Sequence, residues 1–114
     1  MAVVEHGQTG VFANVVATKA LELGPRYVDG YVSRGGARRR KGDLDGAIAD
    51  ATKAIELDQQ CAFAWMLRGL ARREKGADLA AAVQDLERYL GLVPGSDPNV
   101  SQVRAILEQL KARK

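Results

Sequence analysis

Apolar residues recur at intervals of three and four along most of the chain, which is the spacing of one buried face of an α-helix. The clearest apolar stripe follows Asp43 and consists of Leu44, Ala47, Ile48, Ala51, Ala54 and Ile55. Similar stripes run through residues 11–23 and 79–90, and a last one contains Val100, Val103, Leu107 and Leu110. The pattern predicts an all-α protein of about six helices.

Glycine, aspartate and proline mark the expected ends of these helices. The helices predicted at 29–41 and 61–75 are each followed by a glycine, Gly42 or Gly76, and glycine adopts the left-handed C-cap conformation at low cost. Asp43 and Asp78 then stand where the next helix needs an N-cap acceptor. Asp97 and Pro98 predict the N-cap and the first residue of a final helix.

The chain repeats itself at an offset of 34 residues. The recurring segments are 17–23 and 51–57, Arg34-Gly35 and Arg68-Gly69, and Lys41-Gly42 and Lys75-Gly76. After Gly76 the offset becomes 35, because one residue is inserted near Ala77 and Asp78. A unit of two helices cannot bury its apolar face alone, so we expect the units to stack on one another.

A period of 34 residues with two helices per unit resembles the tetratricopeptide repeat (TPR) family. The family pattern is matched by Tyr31, Gly35, Ala47 and Ala51 in one unit and by Trp65, Gly69, Ala82, Leu86 and Pro94 in the next. The resemblance implies an all-α, right-handed α-solenoid in a single domain. Its expected parts are a half repeat at 11–27, repeats at 28–61 and 62–96, and a capping helix at 97–114.

Eight residues are predicted to hold the two helices of each repeat together. They are Arg34, Gly35, Ala47 and Asp50 in the first repeat and Arg68, Gly69, Ala82 and Asp85 in the second. The glycines and alanines are expected to let the helices approach closely, since a larger residue would overpack the contact by ~1–3 kcal/mol. The arginines stand where the TPR pattern has leucine, and we predict that each forms an ion pair with the aspartate of its repeat. The alternative is that both arginines point to solvent.

Composition excludes several classes of protein. A chain of 114 residues that is 46% hydrophobic and 27% charged has the ordinary values of one globular domain. The longest apolar run, residues 61–67, falls far short of the ~20 residues of a membrane span. No signal-peptide pattern opens the chain, so we expect a cytoplasmic protein. One cysteine and one histidine leave no disulfide and no Cys/His zinc site, and we predict no catalytic residue, metal or cofactor.

The net charge of +3 is too small to indicate a nucleic-acid-binding protein by itself. The basic run at 38–41 is the feature that favours one, because such clusters are typical of RNA-binding or nuclear-localisation segments. The repeat instead places each residue of the run on the surface of a helix. An RNA-binding accessory protein is therefore a less favoured alternative.

The TPR resemblance also implies a concave groove lined by the first helix of each repeat. The residues that we expect to contact a partner there are Val32, Arg39, Arg40, Phe63, Met66, Leu70 and Arg73. They predict a non-enzymatic interaction module that binds a peptide or partner helix with an apolar anchor and acidic residues. The alternative for Phe63, Met66 and Leu70, which share one helical face, is that they belong to the core. The carboxylate clamp of chaperone-binding family members is not expected, because its positions hold Val32, Gly36 and Leu67.

The half repeat leaves a helix without its usual partner. Its apolar residues are Val11, Phe12, Val15 and Val16, and only ten residues precede them. We expect either these ten residues or a second copy of the chain to cover the helix. The second case predicts a homodimer, and thus an alternative function as a homo-oligomeric assembly adaptor.

Overall fold

The structure, a computed structural model, describes residues 27–112, and this part of the chain is built from helices and short connections. The helices are α1 (Val28–Arg40), α2 (Leu44–Leu57), α3 (Ala62–Lys75), α4 (Leu79–Leu92) and α5 (Val100–Ala112). Each helix packs against the next one along the chain, and α1 also packs against α3. The first helices of the pairs α1–α2 and α3–α4 are therefore neighbours, which is the arrangement of an α-solenoid and confirms the predicted fold class.

Part of the prediction lies outside the described residues. Residues 11–26 of the half repeat are not among them, and neither are the dimer contacts predicted at Val11, Phe12, Val15 and Val16. Within residues 27–112, no helix is both long enough and apolar enough to cross a bilayer.

The helix ends follow the glycine and aspartate signals. The carboxylate of Asp43 accepts a hydrogen bond from the backbone N–H of Gly46 at 3.0 Å, and Asp78 caps α4 in the same way through Ala81. Gly42 and Gly76 have φ angles of +90° and +75°, the left-handed conformation that glycine adopts at low cost. The predicted starts of α1 and α3 are correct to within one residue.

The predicted start of the final helix is wrong. α5 begins at Val100 rather than directly after Asp97, so the predicted capping segment 97–114 opens with a turn. In that turn the Asp97 carboxylate accepts the N–H of Asn99 at 3.0 Å, and the carbonyl of Asp97 accepts the N–H of Val100 at 3.1 Å. Asp97 thus closes a turn that precedes the helix, and Pro98 lies in the turn and not in the helix.

In the described residues, the buried apolar side chains include two packed clusters. The larger one joins α4 and α5 and contains Ala82, Leu86, Tyr89, Val103, Ile106, Leu107 and Leu110. The smaller one lies between the helix pairs and contains Ala54, Ile55 and Ala64. Half-buried Trp65 packs against both clusters. The apolar residues of α5 face the larger cluster, while the other side of α5 is exposed and polar for most of its length.

Candidate functional site

Asp50 on α2 and Asp85 on α4 are buried carboxylates, with 3% and 2% of their surface exposed. In the first helix pair, Arg34 donates to both oxygens of Asp50, from Nε at 2.9 Å and from Nη2 at 2.8 Å. Arg38, one turn later on α1, donates a third hydrogen bond from Nη1 at 3.2 Å. We call this group of two arginines and one aspartate the arginine–aspartate clamp.

The second helix pair contains the same clamp. Arg68 donates to both oxygens of Asp85 at 3.0 Å, and Arg72 donates to Oδ2 at 2.8 Å. Arg68 also reaches back to the preceding pair, where its Nη1 donates to Thr52 Oγ1 at 3.2 Å. Both predicted ion pairs are therefore present in the structure, and the alternative that the arginines point to solvent is wrong. The contributions of Arg38 and Arg72 were not predicted from the sequence.

The clamps lie against aromatic rings. The guanidinium carbon of Arg34 is 5.9 Å from the centre of the Tyr31 ring, and that of Arg68 is 5.1 Å from the centre of the Trp65 ring. The hydrogen bonds to Asp50 raise the pKa of Arg34 above its already high ordinary value. Arg34 is therefore a permanent cation whose charge is used inside the fold, and this indicates a structural role for the clamp.

Gly35 and Gly69 lie where the first helix of each pair packs closely on the second, and Gly35 also faces Leu67 of α3 in the next pair. A Cβ atom on Gly35 would lie 2.8 Å from Leu67 Cδ2 and 3.1 Å from the Cβ of Asp50. A Cβ atom on Gly69 would lie 2.8 Å from two atoms of Leu86 and 3.2 Å from the carbonyl oxygen of Ala82. Ala47 and Ala82 are fully buried. The close approach expected at these small residues is present in both pairs.

A groove of about 410 Å³ runs between α1 and α3. Its lining residues are Val32, Ser33, Gly36, Arg39, Arg40, Phe63, Met66, Leu67 and Leu70. Six of the seven residues predicted to contact a partner thus lie around one concave surface, and the seventh, Arg73, is not part of the lining. Gly36 leaves room in the groove, since a Cβ there would meet only the far end of Arg40, at 3.7 Å.

The apolar part of the groove is only partly available to a partner. Phe63, near the start of α3, is 50% exposed and is one of two large hydrophobic residues that are exposed in the described part of the chain; the other is Tyr27. Met66 and Leu70 are half-buried and also pack against the cluster between α4 and α5. The core interpretation therefore holds for one side of Met66 and Leu70, while Phe63 remains open.

The basic residues of the groove, Arg39 and Arg40, lie at the C-terminal end of α1, and Arg73 lies toward the C-terminal end of α3 outside the lining. Arg39 donates from Nε and Nη2 to a single oxygen of Glu74, at 3.0 and 2.8 Å, and so connects the two helices at the edge of the groove. Arg40 is exposed, and among residues 27–112 neither Arg40 nor Arg73 forms an ion pair. Of the basic run at 38–41, Arg38 belongs to the clamp and Arg39 is paired with Glu74.

The other cavities and reactive side chains of the described residues are weaker candidates for a functional site. A second cavity of about 260 Å³ lies beside Asp45, Ile48, Arg72, Lys75, Ala77 and Asp78, and the Lys75 ammonium in it is paired with Asp45. Cys61 is half-buried just before α3. Across the described range, no three histidine, cysteine or acidic side chains converge as metal ligands would.

Comparison with known proteins gives likenesses of structure. No protein family and no curated protein matches the sequence. The first TPR of Spaghetti (RPAP3), solved with the HSP90 peptide SRMEEVD, is similar to this chain with a TM-score of 0.82 and 24% identity, over 94% of this chain and 81% of that one. The Arabidopsis OM64 TPR domain has a TM-score of 0.80 and 24% identity, over 91% and 84% of the two chains. The TPR2B domain of yeast Sti1, in complex with an Hsp70 peptide, has a TM-score of 0.83 and 20% identity, over 96% and 88%.

Proposed function

Because this chain has the tetratricopeptide repeat fold, we propose that it is a protein-interaction module without enzymatic activity. A fold does not by itself give a function, so the proposal depends on the groove between α1 and α3. The observation that carries it is the half-exposed ring of Phe63 in a concavity of about 410 Å³ with arginines at one end. Solved TPR domains of similar structure hold HSP90 and Hsp70 peptides, which supports a peptide as the class of partner.

The proposed partner is a peptide that carries an apolar anchor close to acidic residues. The anchor would lie against Val32, Phe63 and Met66, where it would remove exposed apolar surface from water. The acidic residues would lie near Arg40 and Arg73, whose charges have no ion-pair partner in the described residues. Met66 and Arg73 are separated by about 10 Å along the axis of α3. In an extended peptide that distance corresponds to about three positions along the sequence from the anchor to the acid.

A peptide-display selection tests this proposal. Random peptides are selected on the immobilised protein, and their affinities for wild type and variants are measured by calorimetry. We expect the selected peptides to combine a large apolar residue with acidic residues, and we expect Phe63→Ser to weaken binding by at least about tenfold, since a large apolar contact is lost.

Tyr27→Ser is the matched control, because Tyr27 is the other exposed large hydrophobic residue and does not line the groove. Circular dichroism must show equal helicity for both variants. If the selected peptides bind Phe63→Ser as tightly as they bind wild type, the groove is not the binding site.

Salt separates this proposal from RNA binding. Binding to nucleic acid falls steeply as salt increases, because counterions are released from the phosphates. A peptide anchored on Phe63 should lose much less affinity over the same range. The self-assembly alternative depends on residues outside the described range and stays a prediction, which light scattering over a concentration series tests. The cytoplasmic location also stays a prediction.

A further inference from the structure

The ion pair between Arg39 and Glu74 differs in geometry from the pairs inside the clamps. Arg34 and Arg68 each bind both oxygens of an aspartate, in the fork arrangement that fixes a carboxylate most firmly. Both donors of Arg39 instead converge on Oε2 of Glu74. The preferred two-oxygen arrangement of a guanidinium with a carboxylate is therefore not used at this position.

The same pair is also much more exposed. The side chains of Arg39 and Glu74 are 28% and 33% exposed, whereas those of Arg34 and Asp50 are 17% and 4% exposed and those of Arg68 and Asp85 are 14% and 3% exposed. Solvent screening makes exposed pairs weak, so Glu74 can leave Arg39 at little cost. A carboxylate brought by a partner that also covers the groove would meet Arg39 in a drier environment, where their attraction is stronger.

Comparison of the repeats shows that Glu74 is not part of the repeated pattern. The residue that corresponds to Glu74 in the first helix pair is Arg40, so the charge at this position is reversed between the two copies. Glu74 places its negative charge at the edge of a groove whose charged lining residues, Arg39 and Arg40, are cations.

We infer that Arg39 is a further carboxylate-binding residue of the groove beside Arg40 and Arg73, and that Glu74 occupies it in the free protein as a stand-in for an acidic side chain of the partner. This inference rests on the proposed function, since it identifies how the same groove recognises an acidic peptide. Glu74 must move away when such a peptide binds. It therefore lowers the affinity for acidic peptides and leaves the affinity for neutral ones unchanged.

Glu74→Gln tests the inference. The probes are a groove-binding peptide from the display selection and its analogue with every acidic residue replaced by the corresponding amide, both measured by calorimetry. We expect the variant to bind the acidic peptide about threefold more tightly than wild type, an amount typical of one exposed ion pair. The affinity for the neutral analogue should not change.

Glu87→Gln is the matched control for the removal of one negative charge. Glu87 forms an exposed ion pair with Lys111 at 2.6 Å, on a different part of the surface. The Glu87→Gln variant should bind both peptides with the same affinity as wild type. An equal gain in Glu87→Gln would mean that net charge, and not the release of Arg39, raises the affinity, and would overturn the inference.

The decisive comparison is to make Glu74→Gln in a protein that already carries Arg39→Gln. If Glu74 acts by occupying Arg39, Glu74→Gln should give no gain in a protein that already carries Arg39→Gln. A gain of the same size in both backgrounds would overturn the inference, as would the absence of a gain in the wild-type background. In either case, peptides that still need Phe63 would leave the proposed function intact. If no selected peptide needs Phe63, the proposed function itself has failed, and the inference fails with it.

Discussion

The helix pairs α1–α2 and α3–α4 are held together by the same types of residue at corresponding positions, although their outer surfaces differ. Each pair contains a buried aspartate, two arginines one turn apart and a glycine that packs closely against its second helix. The aromatic residue beside the clamp is Tyr31 in one pair and Trp65 in the other. The contacts within a pair are thus repeated, because in each pair a first helix must pack against a second helix of similar sequence.

The pairs differ in how their second helices pack against the next helix along the chain. Ala51 and Ala54 of α2 are fully buried, and α2 packs against α3 of the next pair. The corresponding residues of α4 are Leu86 and Tyr89, which are also fully buried but belong to the cluster with α5. Alanines therefore occupy the junction between repeats, whereas large side chains fill the space under the final helix.

The groove shows a second difference of the same kind. Val32 and Gly36 of α1 correspond to Met66 and Leu70 of α3, so one wall of the groove is small and the other is large and apolar. Residues that face inward within a pair are thus constrained, and residues that face outward are free to differ. The lining of the groove can therefore differ on this scaffold without a change in the clamps.

The largest effect is expected from removing the aspartate of either clamp. Asp50→Ala and Asp85→Ala each remove the buried carboxylate that two partly buried arginines share, at a cost of about 3–5 kcal/mol in the free energy of unfolding. Urea unfolding followed by circular dichroism measures the loss. We expect similar losses in the two pairs. Asp45→Ala, which removes an exposed partner of Lys75, is the control and should cost about 1 kcal/mol or less. A large loss of stability in only one of the two variants would show that the two clamps do not have the same structural role.

A smaller effect is expected at Tyr89 of α4, whose counterpart in α2 is Ala54. Its hydroxyl donates to the Asp97 carboxylate, and burial together with this hydrogen bond raises the pKa of Tyr89 to about 12. Tyr89→Phe should cost about 2 kcal/mol at neutral pH, the value of a hydrogen bond to a charged group.

The pH dependence of this difference gives the sharper test. The ordinary tyrosine pKa is about 10, so the folded state holds the phenolic proton more tightly than the unfolded state does. The contribution of Tyr89 is complete below pH ~10 and is lost as the pH rises toward 12. The difference in stability between wild type and Tyr89→Phe should therefore shrink over this range. A constant difference would contradict the assigned hydrogen bond.

The smallest effects are expected at two glycines that lie on equivalent helices. Gly69→Ala should destabilise the protein by about 1 kcal/mol, because overpacking against Leu86 exceeds the gain in helix propensity. Gly36→Ala should instead stabilise it by up to about 1 kcal/mol, since the new methyl group meets only the far end of Arg40, at an ordinary contact distance of 3.7 Å. Thermal unfolding of the two variants should shift in opposite directions. Shifts in the same direction would show that the close approach at Gly69 is not what separates the two sites.

Much of the fold could be predicted because the sequence of the helix pair occurs twice in the chain. The offset of 34 residues located both helix pairs, and the glycines and aspartates located most of the helix ends. The start of α5 was missed because an aspartate before Pro98 can either cap a helix or close a turn, and the local sequence is compatible with both.

The arginine–aspartate clamp was only half predicted, although the signal for the rest was available. Arg38 and Arg72 recur at the same offset as Arg34 and Arg68, and lie four residues after them on the same helical face. The pairing of Arg39 with Glu74 could not be predicted in this way. It joins residues 35 positions apart that do not repeat, so it depends on how α1 and α3 are placed relative to each other.

Trp65 is the only tryptophan in the chain, and it lies at the junction of the two core clusters. Its indole N–H donates to the carbonyl of Gln59 at 2.9 Å, and the guanidinium groups of Arg68 and Arg88 lie 5.1 and 5.7 Å from the ring centre. The intrinsic fluorescence of the unlabelled protein under tryptophan-selective excitation therefore comes from one known place. Its emission maximum reports the separation of neighbouring repeats, while circular dichroism reports the loss of helix. If the fluorescence changes before the circular dichroism does, the repeats separate from one another before their helices unfold.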